Sequence, residues 1–274
     1  MDFVCYQFAV AANKEVLLAL CSTLDFEGFE ELETGFLAYW PTGKDSASLE
    51  KQLAEWKQNF EFSYTKELIK SQNWNAKWEA DFKPIVVGNF CGIRADFHQP
   101  LSQVKHEIVI QPKMAFGTGH HETTYMMLET MSDLDFRHKK VFDYGCGTGI
   151  LAILAERLGA KSILAIDIDA NAFENTLENI EKNTCSHIIC RQGILADTNE
   201  KDFDIILANI NRNVILDSLQ SLFHKLNLTG KLIISGFLTQ DQLKVQTAID
   251  KYGFILASVK EKNNWLCYVL HKKV

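Results

Sequence analysis

The sequence predicts an α/β protein in two parts, a small α+β domain of ferredoxin-like plan followed by a doubly wound, mostly parallel sheet. Three observations carry that expectation. The first sixty-odd residues read βαββαβ, five short apolar runs alternate with helical patterns from Val141 onward, and a hairpin signal closes the chain.

In order, FVCYQFAV reads as a strand, NKEVLLALCSTL as a helix, and GFEELE and GFLAYW as a hairpin about the Thr34-Gly35 turn. SASLEKQLAEWKQNF has the apolar spacing of an amphipathic helix, and EFSYT supplies a last strand. Nothing in this segment resembles catalytic machinery, so residues 1–64 are expected to form a packing or recognition module. A polar linker over 65–83 follows, with Trp74 and Trp78 one helical turn apart and Pro84 beyond it. Residues 84–274 form the larger domain. IVVG, CGIRADF and EIVI are strand-like, VFDY, ILAID, HIICR, FDIILANI and KLIISGF supply the parallel sheet, and GFILASVKEKNNWLCYVL adds an antiparallel hairpin.

Composition narrows the functions available. A chain of 274 residues with 47% hydrophobic content can bury a sizeable core. Its net charge of −7 argues against binding nucleic acid by general electrostatics and suits a basic protein partner instead. Seven cysteines, odd in number and without a C-x-x-C pair, read as reduced thiols. The start MDFVCYQFAVAANKE lacks a basic n-region and a long apolar core, and no apolar run approaches a membrane span, so a cytoplasmic location with no membrane contact is expected.

The most informative stretch is VFDYGCGTGILAILAERLGAKSILAIDID. A strand runs into Gly145, Gly147 and Gly149 and then into a helix, while Asp167 ends the next strand. Glycines let the backbone approach a ligand, the helix start offers free N–H groups, and the acid is placed to accept both hydroxyls of a ribose. The spacing is G-x-G-x-G, with Ile150 where a dinucleotide fingerprint has its third glycine. Asp143 just before the turn would repel a pyrophosphate and favour a cationic group. The cofactor expected is therefore S-adenosylmethionine, whose reactive centre is a sulfonium.

Asn209 ends the fourth parallel strand, where ligands of open α/β sheets sit, and its amide carbonyl can orient an incoming amine. The same residue can instead cap the helix that follows. The stretch MAFGTGHHETT is too poor in metal-ligand spacing for a zinc site, since H-E-x-x-H would need histidine where Tyr125 stands. His120 and His121 read as capping or packing residues.

Together, MAFGTGHHETT, DYGCGTGILAI, LAIDID and LANI, with Trp74, Trp78 and the Phe82–Pro84 segment, resemble the methyltransferases of ribosomal protein L11. The resemblance covers the whole chain order. It implies a Rossmann-like class I methyltransferase sheet, a substrate-recognition domain at 1–64, and transfer of methyl groups to lysine ε-amines and/or the N-terminal α-amine of that protein. Carried over by residue, it implies that Thr124, Gly145, Asp167 and Asn209 contact the cofactor alongside Gly147 of the turn. Phe116 and Gly117 would lie over it near the acceptor entrance, with Phe116 and Asn209 serving catalysis and no metal involved. Two departures stand out: Gln111-Pro112-Lys113 before the opening stretch, and the polar Asn211-Arg212-Asn213 after LANI. Competing readings are methylation of another protein amine or amide, a nicotinamide oxidoreductase, and a non-catalytic binding module. LANINRN lacks the prolines and tyrosine usual for amide or base methylation.

Overall fold

The computed structural model describes residues 2–69, 82–112, 117 and 119–273, and divides the chain into two units, 1–82 and 83–274. Trp74 and Trp78 lie outside the described residues.

In the first unit, alternating apolar residues build β1 (Phe3–Val10), β2 (Gly28–Leu32), β3 (Gly35–Pro41) and β4 (Phe62–Ile69), with α1 (Lys14–Cys21) and α2 (Ser46–Trp56) between them. The sheet order β2-β3-β1-β4, antiparallel throughout, is the ferredoxin-like arrangement. One sheet face presents Tyr6, Phe8, Phe36, Ala38 and Trp40 to Leu17 and Cys21 of α1 and Leu49 and Leu53 of α2. Phe8 and Phe36 stack across β1 and β3 at 4.7 Å. β4 runs past the expected end at Thr65, because Lys66 to Ile69 continue the ladder against Tyr6 to Phe3.

The second unit holds a seven-stranded sheet in the order β10-β9-β8-β11-β12-β14-β13. These are β8 (Lys140–Tyr144), β9 (Ser162–Asp167), β10 (Ile188–Gln192), β11 (Phe203–Asn209), β12 (Leu226–Leu238), β13 (Phe254–Lys262) and β14 (Trp265–Lys272). The first five in spatial order are parallel, and the closing hairpin is antiparallel. The helices are α3 (Glu122–Met131), α4 (Ile150–Arg157), α5 (Ala170–Lys182), α6 (Arg212–Lys225) and α7 (Gln242–Lys251). Every residue from Ile150 to Ala155 is buried, as an all-apolar helix requires. The chain steps from β8 outward to β10 and returns to β11 on the other side of β8, creating the strand-order reversal at which ligands of such sheets bind.

A smaller sheet, β5 (Ile85–Val87), β6 (Cys91–Ala95) and β7 (His106–Ile110), ends on β7, whose outer edge would leave backbone groups bare. Helix α5 fills that edge with side chains. Asn183 accepts from Val109 N–H at 3.0 Å and donates to its carbonyl at 2.6 Å, while Asn179 accepts from Gln111 N–H at 2.7 Å and Asn175 donates to the Gln111 carbonyl at 3.0 Å. The spacing of four places all three on one helix face, fully buried. Asparagine is a poor helix former, so its recurrence here is offset by the bonds it makes.

Asn179 also donates to the carbonyl of Thr148. Replacing it by alanine orphans a buried N–H and a carbonyl, and Asn179→Ala is expected to lower stability by about 2–4 kcal/mol in urea unfolding. A midpoint within error of the wild type would show that solvent replaces these bonds at no cost.

Candidate active site

β8 delivers Asp143 and Tyr144 to a turn in which Gly145, Gly147 and Gly149 all take positive φ, at 72°, 58° and 77°. A Cβ on Gly145 would lie 2.2 Å from the Ile210 side chain and one on Gly149 2.8 Å from Thr176, so both glycines are required by contact as well as by conformation. Thr176 Oγ1 donates to the Gly147 carbonyl, tying the turn to α5. Asp167, at the end of β9, accepts from Gly147 N–H at 2.9 Å and Asp169 N–H at 3.0 Å. Each carboxylate oxygen has capacity for a second donor.

Asn209 ends β11 and is buried, and its Nδ2 donates to Thr124 Oγ1 at 3.2 Å. Its Oδ1 is buried with no partner. The cap of α6 is Asn211, which makes no side-chain capping bond, so Asn209 does not serve as that cap. Thr124 is buried in the first turn of α3, next to Thr123, whose N–H and hydroxyl both meet His121 Nδ1. His121 is the N-cap of α3, and His120 donates to the Lys83 carbonyl. Among the described residues no three His, Cys, Asp or Glu side chains are grouped to hold a metal ion, and no helix is long and apolar enough to cross a membrane.

Gly145, Gly147, Asp167 and Asn209 line one cavity of about 630 Å³, and Gly117 and Thr124 share a small adjoining recess with Gly145, Gly147 and Asn209. Gly117 is fastened by its carbonyl to Thr148 Oγ1 at 2.7 Å. Phe116 lies outside the described residues. The strand order sets Ile168 and Ile194 on one side of the cavity, past β9 and β10, and on the other Ile210 just past β11, Val214 of α6 and Gly236 within β12. Trp265 of the closing hairpin completes the wall, its ring edge-on to His121 with centroids 4.7 Å apart.

Ile168 and Ile210 fall inside LAIDID and LANI without a role of their own, and Ile194, Val214, Gly236 and Trp265 lie outside the motifs that carry the resemblance. Only Gly236 carried a local signal, a glycine inside a strand, which marks a bulge or a close approach. The β12 register does shift at Gly236, and a Cβ there would meet the Ile210 carbonyl at 2.0 Å.

A family profile described as ribosomal protein L11 methyltransferase (PrmA) matches residues 13–273. A relative named ribosomal protein L11 methyltransferase from Porphyromonas gingivalis is 41% identical, over 97% of this chain and 96% of its own. One of the same name from Bacteroides fragilis is 38% identical over 92% and 91%. Among solved structures, a ribosomal protein L11 methylase from Lactobacillus delbrueckii subsp. bulgaricus aligns with a TM-score of 0.66 and 29% identity, covering 70% of this chain and all of that one. A methyltransferase from Pyrococcus furiosus shares the fold, with a TM-score of 0.52 at 20% identity over 61% and 89%.

Asp143 is fully buried, and burial pushes its carboxyl up to about 7; the Ala152 N–H, 3.0 Å away, pulls it down, and the negative Asp167 adds a smaller upward push. Its Oδ1 has no partner. Because the folded-state value lies above the unfolded one, this group's stabilising contribution is present below about 4 and is lost as pH rises through about 7. Asp143→Asn removes that dependence, and above pH 7 the variant should be more stable than the wild type by up to about 4 kcal/mol. Parallel denaturation curves for the two proteins from pH 4.5 to 8 would contradict it.

Proposed function

The chain belongs to the ribosomal protein L11 methyltransferase family, and from that premise we propose that it transfers methyl groups from S-adenosylmethionine to lysine ε-amines and/or the N-terminal α-amine of ribosomal protein L11. Residues 84–274 perform the chemistry in this reading, and residues 1–64, joined through 65–83, recognise the protein substrate.

The observation that carries the reading is Asn209 Oδ1, a buried, unpartnered acceptor in the wall of a cavity that also presents a glycine turn and an acid. The residues present fit the cofactor. Asp167 retains lone pairs for ribose hydroxyls, Ile168 and Ile194 offer apolar cover for a flat base, and Gly145 and Gly147 line the cavity without side chains, so that a ligand can come close to the backbone. When bound, S-adenosylmethionine supplies an electrophilic methyl group on a positively charged sulfur. Asp143, beside the turn, is the fixed group whose ionisation such a charge would favour.

The chain's own work is then to align a neutral amine. Asn209 Oδ1 accepts an N–H of the incoming amine and fixes the direction of its lone pair, while Thr124 holds the Asn209 side chain by accepting from Nδ2. Trp265, Ile210 and Val214 exclude water from the acceptor side, which destabilises the ammonium form. That help matters most for lysine. An ε-ammonium near pKa 10.4 costs about 4 kcal/mol to deprotonate at neutral pH, an α-ammonium near 8 about 1. In this reading solvent takes the proton.

Calorimetric titration with S-adenosylmethionine should show tight binding to the wild type and weaker binding to Asp167→Ala, with no heat from NADH. Transfer of labelled methyl groups to ribosomal protein L11 should fall about 100-fold in kcat for Asn209→Ala. A wild-type chain that fails to bind the cofactor, or an Asn209→Ala variant of unchanged kcat, would remove the basis for this mechanism.

A further inference from the structure

The net negative charge of this chain comes from one end of the sequence. Residues 1–69 carry twelve acidic and five basic side chains, a net of −7 equal to that of the whole chain with its 35 acidic and 28 basic residues, so residues 70–274 are balanced. Within that segment the cations sit with the helices or at the rim. Lys66 pairs with Glu50 of α2, Lys14 of α1 with Glu31, and Lys44 with Asp25.

The sheet face away from α1 and α2 is different. Its register sets Glu30, Leu37, Gln7 and Thr65 in one row across the four strands, and Tyr39, Cys5 and Glu67 in the next. No Lys or Arg occupies any outward position of these strands. Glu30 and Glu67 are exposed, Glu30 takes the Tyr39 hydroxyl at 3.2 Å, and neither carboxylate is ion-paired among the described residues. The potential reaches the neighbours: burial, then negative Glu67 and Glu30, push the Cys5 thiol up.

We propose that this open face of the small sheet is the docking surface for a basic segment of the protein substrate, with Glu30 and Glu67 meeting its cations and Leu37 and Tyr39 packing on their aliphatic stems. The proposal rests on the methyltransferase reading above and adds where the substrate binds. Two glutamates without ion pairs, one on each edge strand of an apolar floor, are complementary to lysine- or arginine-rich protein and repel nucleic acid.

The test is steady-state methylation of ribosomal protein L11 by the full chain and three variants. Glu30→Lys/Glu67→Lys should raise KM about tenfold at low salt, leave kcat and cofactor affinity within about twofold, and approach the wild type at 0.5 M salt. The near-isosteric Glu30→Gln/Glu67→Gln pair, which keeps the shape of the face, should raise KM by a smaller factor. Glu15→Lys/Glu55→Lys makes the same change in net charge on α1 and α2 and should leave KM unchanged. If the wild type turns over the substrate and both sheet-face variants retain its KM, or if the helix-face control raises KM equally, the docking face is wrong while the methyltransferase reading stands. A wild type that binds no cofactor and transfers no methyl overturns both.

Discussion

The cavity depends on the polar face of one helix. Asn175, Thr176, Asn179 and Asn183 of α5 and its C-cap reach in two directions, to the bare edge of β7 and to the carbonyls of Gly147 and Thr148 in the glycine turn. Thr148 in turn holds Gly117. Hydrogen bonds are directional and buried donors are costly to orphan, so this seam sets where the turn sits relative to the segment leading into MAFGTGHHETT. An apolar seam would permit sliding.

Two polar atoms, one in the cavity wall and one behind the glycine turn, break the rule that buried groups are satisfied. Asp143 Oδ1 and Asn209 Oδ1 are both enclosed and unpartnered. They stand at the ends of β8 and β11, neighbouring strands at the strand-order reversal, and the fold bears the cost of both. Such a cost is tolerable where a ligand compensates it, and the two groups suit opposite tasks: a carboxyl beside a positive charge, and a neutral carbonyl for an N–H.

The parallel sheet was legible because β-strands of a doubly wound fold are continuous apolar runs punctuated by glycine, and the D-Y-G-C-G-T-G turn joins two of them. The ferredoxin-like order was legible from its turn residues. The asparagine seam was not. Polar residues every four positions on a helix read as a solvated face, and only the bare edge of β7 makes them buried. Trp265 and His121 meet across 144 residues of chain, a proximity that no local pattern encodes. Asn209 had two readings in sequence, and the capping one fails because the cap falls at Asn211 and Asn209 Oδ1 accepts from no helix N–H.

The β7 seam also bears on motion. Val109 lies on an edge strand and Gln111 just past its end, where amide protons ordinarily exchange with solvent through small local fluctuations. Here their protons are donated to Asn183 and Asn179, so exchange requires α5 to part from β7. That parting also removes the helix from the glycine turn. Amide exchange at these two positions therefore clocks the opening of the cavity itself, on a scale set by the seam and not by global unfolding, and a ligand that bridges the turn would slow the same protons from a distance.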